Sequence, residues 1–214
     1  MRFTFTNCLL EKCHLQDTYC NLIMELAHNG KNGVIVNSKL LEQYLRDKYP
    51  NYQYILSTTR CERNIDAINQ YCDEYDMVVS DYRDNRNLDF LNKIKDKSKI
   101  ELLINAYCSP NCKMRKEHYE HLSSDQLNFR KNSPLDAIFS CPTYSRSFQE
   151  ILDFHTVIKN EELYSTYTEM GFENFKIEGR TSNIFDVIES YVYYLVKPEY
   201  RAKVRLHLLK HGVN

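Results

Sequence analysis

Cys108 and Cys112 lie where an apolar run, ELLINAY, gives way to turn residues, Cys141 follows the short run AIFS, and thiols so placed can do metal chemistry. Iron–sulfur clusters are held by thiolates, usually four, without a fixed spacing for every ligand. These three cysteines form the core of such a set; Cys61, after the run YILSTTR, is the fourth ligand in preference to Cys8. The plain alternative is a group of shielded, reduced thiols that bind nothing. Zinc competes for the same residues, because Cys108 and Cys112 are followed by His118 and His121 in a spacing that suits a tetrahedral site. That arrangement leaves Cys141 without a role, and KMRKEHYEH also reads as a charged helix with its histidines in water. Cys20 and Cys72 fall inside helical patterns and read as small core residues.

Around the cysteines, Lys113, Arg115, Lys116, Arg130, Lys131 and Arg146 are interleaved with Tyr107, Tyr119, Phe129 and Tyr144. Such a mixture can hold a phosphate and stack a base, and it also suits a solvated loop surface. Asp81, Arg83, Glu101 and Asn105 add polar groups at or beside strand ends. The sequence contains no P-loop, no GxGxxG and no visible nucleophilic triad.

Groups scattered over so much sequence need a scaffold that gathers them. Six β-rich runs, RFTFTN (2–7), GVIVN (33–37), YQYILSTT (52–59), MVVSD (77–81), IELLINA (100–106) and FENFKIEG (172–179), alternate with helical patterns. Tyr19, Ile23 and Leu26 are at helical spacing, Ser38 stands at an N-cap position, and Ile184, Val187, Ile188, Tyr191 and Leu195 fall along one helix face. Alternation of this kind predicts parallel strands joined by crossover helices, in which ligand sites gather beyond the carboxyl ends of the strands. Cys8, Cys61, Cys108 and Cys141 all fall at or just after such ends. The stretch 108–160 breaks the rhythm as an irregular excursion, and two helices, separated at Pro198, close the chain over 182–211.

The 214 residues suit a single domain that buries on the order of 70% of its unfolded surface. A net charge of -1 gives no bulk field to recruit nucleic acid or lipid, so any such contact is local. No apolar run approaches the roughly 20 residues that span a bilayer, and the start shows no signal-peptide body. The expectation is a cytoplasmic protein without membrane contact, its eight cysteines reduced or ligating.

The segments ELLINAYCSPNCKMRKEHY, FSCP and FENFKIEGR together resemble the collagenase-like peptidase family numbered thirty-two among those of unassigned catalytic type, over about residues 52–200. KIEGR, at Lys176 to Arg180, is the most specific piece. The resemblance implies a TIM-barrel-like fold and, as in several members, a 4Fe-4S cluster with a role in oxygen-independent hydroxylation of RNA bases or small aromatic compounds. Other members are described as peptidases. Carried onto this sequence, it implies Cys108, Cys112 and Cys141 as cluster ligands and Glu178 and Arg180 as site residues. Arg180 would hold a carboxylate or phosphate, and Glu178 would orient it or accept a proton. The chain departs from the family in its three cysteines in the expected region and in its length. The strand like YILSTT comes late in the family, so two strands are missing here from the front.

A closed barrel needs eight strands, against the six counted. The weak runs AIFS and FHTVI could complete eight, but they fall in the excursion. The expectation is therefore an incomplete barrel that starts at RFTFTN, its open edges unpaired or covered by a protein partner or a second copy. An iron–sulfur enzyme acting on RNA or a small molecule leads the functional readings; a peptidase and a non-catalytic or zinc-binding accessory module are the alternatives.

Overall fold

The six runs form parallel strands β1 (Arg2–Phe5), β2 (Gly33–Val36), β3 (Gln53–Leu56), β4 (Met77–Val79), β5 (Ile100–Leu103) and β6 (Asn174–Lys176) in a computed structural model that describes residues 1–129, 139, 146–179 and 183–211. Each strand pairs with the one before it, so order in the sheet follows order in the chain. Helices α1 (Thr18–Leu26), α2 (Lys39–Lys48), α3 (Ile65–Glu74) and α4 (Leu88–Asn92) make the first four crossovers. Their starts are written locally. Asp17 accepts from the Cys20 amide, Ser38 from Leu41, and Asn64 from Asp66 and Ala67, which satisfies N–H groups that have no partner within the helix.

The sheet is curled into a half-barrel. Arg2 on β1 forms an ion pair with Glu101 on β5, and Lys176 on β6 lies 3.5 Å from the same carboxylate. Four strand spacings in a flat sheet come to about 19 Å, more than two side chains standing off one face can bridge. Ile35, Ile55 and Val79 pack together on this concave face. On the convex face Val34, Val36, Tyr54, Leu56, Val78, Ile100 and Leu102 meet Met24, Leu45, Ile68 and Leu91 from the helices in the main core. With both faces covered, the strands read in sequence as near-continuous apolar runs.

Six strands leave the barrel incomplete, as expected. β1 pairs only with β2 and β6 only with β5, so two edges stay open among the described residues. FHTVI does not form a strand; its Ile158 amide donates to the Ile104 carbonyl beside the end of β5. AIFS lies outside the described residues except for Phe139, which is helical.

Other expectations are corrected. The charged helix read at KMRKEHYEH is present, but it runs over 13 residues as α5 (Arg115–Leu127), so the excursion is less irregular than expected. Its inward face escapes a periodicity reading because the side chains it buries are Arg115, His118, Ser123 and Asp125, all polar or charged. His118 accordingly does not face water: it is 8% exposed and stacks between Tyr119 and Phe139. Cys72 is buried as expected, but Cys20 is exposed. The apolar stripe expected on α1 is uncovered, with Tyr19 78% and Leu26 77% exposed, because among the described residues no strand pairs with the open side of β1. In the closing helix Ile184–Leu195, Ile184, Tyr191 and Leu195 are likewise exposed, while Ser190, Val192 and Tyr194 turn inward.

Candidate functional site

The loops after the strands bring titratable groups to one rim, and α5 lies over it. At the start of α5 stands Arg115, and further along Ser123 accepts from the Asn7 side chain through its carbonyl and from the Cys8 amide through its hydroxyl. The helix is thereby tied to the loop after β1, and at its other end to the loops after β3 and β4.

Arg115 holds that second tie. Its Nη1 donates to Asp81 Oδ2 and to the Thr58 carbonyl, each at 2.8 Å, and its Nη2 donates to the Thr58 hydroxyl at 3.1 Å. The guanidinium sits between the rings of Tyr82 and Tyr119, 4.9 and 5.2 Å from their centroids, a cation–π arrangement in a desolvated setting. Asp81 also receives Arg83, whose Nε and Nη2 donate to the two carboxylate oxygens at 2.9 and 2.8 Å. Burial pushes the Asp81 carboxyl up, but the bonds from Arg83 and the charge of Arg115 outweigh it and hold the group below the usual aspartate range. Two guanidinium groups thus share one carboxylate, and among the described residues Arg115 Nε has no hydrogen-bond partner.

The cysteines stand around this pair. Cys61 Sγ accepts from Arg115 Nη1 at 3.4 Å, and Cys61 itself has a left-handed backbone, φ 56°, at the end of the turn Thr58–Arg60. Its thiol is pushed up by burial against the opposing charge of Arg115. Cys108 is within electrostatic range of Arg115 and Tyr119, and both Cys108 and Cys112 act on Tyr82. Arg83 Nη1 donates to the Cys112 carbonyl at 2.9 Å. Cys61, Cys108 and Cys112 therefore share one rim, while Cys8 sits beside Ser123, about two turns further along α5. Cys141 and Arg180 lie outside the described residues, as do Arg130, Lys131 and Tyr144. Among the described residues no three His, Cys, Asp or Glu side chains are grouped closely enough to hold a metal ion. Cys61, Cys108 and Cys112 are soft ligands by type, carried on one rim beside Arg115.

Below α5 the concave face encloses a cavity of about 210 Å³, lined by the hydroxyls of Thr4, Thr6, Ser57 and Thr59 together with Lys176 and Glu178. Glu178 is oriented precisely enough to be a site residue: its Oε2 accepts from the Tyr107 amide at 3.1 Å, and the buried Asn105 side chain bonds its backbone N–H and C=O. Asn105 thus prolongs the pairing of β6 beyond its last strand residue. Gly179 follows because a Cβ there would come within 3.2 Å of the Tyr191 hydroxyl. A second cavity, of about 410 Å³, adjoins the first; Thr59 and Tyr119 line both. Burial pushes the Tyr119 phenol up to about 12, so it is a hydroxyl donor at neutral pH.

The sequence located the rim thiols, Asp81, Arg83, Asn105 and Glu178. Glu101 belongs elsewhere, paired with Arg2 and Lys176 on the concave face. Arg115, Arg146 and Tyr119 belong to the basic and aromatic set that the sequence places around the cysteines, but their partners are not legible there: Arg115 is buried against Asp81, and Arg146 donates to the Tyr107 carbonyl and the Ser109 hydroxyl. Thr58 and Thr59 carry no signal beyond their place after a strand. No helix among the described residues is long and apolar enough to cross a membrane. Comparison of the chain with protein families, with curated proteins and with solved structures finds no match.

Proposed function

We propose that the rim carries an iron–sulfur cluster, with Cys108, Cys112 and Cys141 as ligands and Cys61 as the fourth, and that the cavity beneath α5 receives a small aromatic substrate or a base of RNA for a hydroxylation-type modification. One observation carries this reading: Cys61 from the loop after β3 and Cys108 from the loop after β5 approach the same buried guanidinium, that of Arg115. The cluster, when bound, would supply one-electron chemistry.

The chain's own groups have separable roles in this reading. Arg115 and Arg83 offset the charge of thiolate ligands. Tyr119 closes the cavity from above and donates a hydroxyl proton at its mouth. Glu178, fixed by the Tyr107 amide, accepts a proton from a bound ligand, and Arg180 pairs with its anionic group. Collagenase-like peptidase activity and a zinc-binding accessory role, the latter through Cys108, Cys112, His118 and His121, are the competing readings.

Metal analysis of protein purified without oxygen tests the proposal. Brown protein with iron and sulfide in equal amounts is expected, lost in Cys108→Ser and kept in Cys20→Ser. Colourless protein without iron would overturn it, and zinc in the same preparation would favour the accessory reading.

A further inference from the structure

The second cavity has no part in the cluster chemistry, and its lining has a distinct character. The loop after β3 contributes Arg60, whose Nη1 donates to the Asn37 carbonyl at 3.1 Å and which meets no carboxylate among the described residues. From α5 comes Lys116, exposed and without an ion pair among the described residues. Two carboxylates face the same space. Glu62 is committed locally, since its Oε1 accepts from the Arg63 and Asn64 amides, each at 2.9 Å. Glu120 is left to accept a donor.

We propose that this outer cavity is an anion subsite that holds the phosphate of a small phosphate ester, with the ester's polar ring seated in the inner cavity. The observations behind it are independent of any metal: two cations from different elements, without carboxylate partners among the described residues, and continuity with a hydroxyl-lined chamber through Thr59 and Tyr119. Arg60 offers a planar fork and Lys116 a compact charge, the two complementary ways of meeting phosphate oxygens. The inner chamber, at about 210 Å³, is smaller than a typical drug-sized pocket and suits one small ring. Its threonine and serine hydroxyls, Lys176 and Glu178 offer donors and acceptors in a mixture that matches a sugar or a nucleobase. The proposal rests on the reading of this rim as the working site and requires no cluster.

Calorimetric titration of the full-length, metal-free protein with inorganic phosphate, ribose 5-phosphate and adenosine 5'-monophosphate tests it. Both esters should bind more tightly than inorganic phosphate, and the tighter of the two identifies the ring as sugar or base. Arg60→Ala combined with Lys116→Ala should weaken ester binding by at least about tenfold, the loss expected for one charge-assisted contact. Ester binding that survives the double substitution, or no binding in the unaltered protein, overturns the subsite while leaving the iron assay to judge the cluster. A 5'-phosphorylated oligonucleotide that binds far more tightly than either ester would overturn the small-molecule assignment.

Discussion

Arg115 and Asp81 form an ion pair with Nη1 2.8 Å from Oδ2, and their side chains are only 2% and 1% exposed. The pair joins α5 to the loop after β4, so it decides whether the helix stays over the rim. A buried pair of this kind gains little over apolar packing but is costly to break from one side, because the remaining charge is stranded without water.

Asp81 should therefore matter more to stability than Arg115. Asp81→Asn leaves two buried guanidinium groups facing a neutral amide and is expected to cost about 3–5 kcal/mol. Arg115→Met leaves Asp81 with both bonds from Arg83 and should cost less. Urea unfolding of the two variants decides the order; the reverse order would mean that Arg83 does not compensate Asp81.

Acid should act on the same carboxylate. Its folded pKa is depressed, so the stability it contributes is present above the unfolded value, about 3.9, and is lost as pH falls through the folded value. Unfolding free energy of the unaltered protein should decline below about pH 4. Asp81→Asn should show a shallower decline over that window, and parallel acid limbs for the two proteins would assign the sensitivity to other carboxylates.

Asn105 links β5 to the candidate site. Its Nδ2 donates to the Glu178 carbonyl at 3.0 Å, and its Oδ1 accepts from the Glu178 amide. Asn105→Ala should cost about 1–3 kcal/mol by leaving buried backbone groups unpaired. Hydrogen exchange should rise at the amides of Glu178 and Tyr107, the latter bonded to the Glu178 carboxylate. Unchanged protection at both would show that the loop holds its shape without Asn105.

The helix α1 offers a contrast within nine residues. Met24, 1% exposed, lies in the main core, and Met24→Ala should cost about 2–5 kcal/mol. Leu26→Lys, two residues on and on the uncovered side of the helix, should change stability by less than about 0.5 kcal/mol. Sedimentation of Leu26→Lys against the unaltered chain reports whether that face drives association: a drop in average mass would show that it does. A large stability loss in Leu26→Lys would instead mean that the face is covered.

Six strands, their order and the rim to which the thiols belong were written in the sequence, because each rests on local chemistry. A parallel strand covered on both faces is an apolar run, a turn after it marks its carboxyl end, and Ser38 caps its helix through an amide three residues on. What the chain folds around had to come from the tertiary structure. The periodicity of Tyr19, Ile23 and Leu26 equals that of a buried face, yet burial requires a neighbour, and β1 has none on its outer side. Arg115 reads as a surface cation until Asp81, Thr58 and two tyrosine rings, distant in sequence, close around it. The adjoining cavities depend likewise on curling of the sheet and on α5 crossing its mouth. Local propensity fixes which segments become strands and helices, whereas burial, ion pairing and cavity shape belong to the sums of many long-range contacts that no single segment contains.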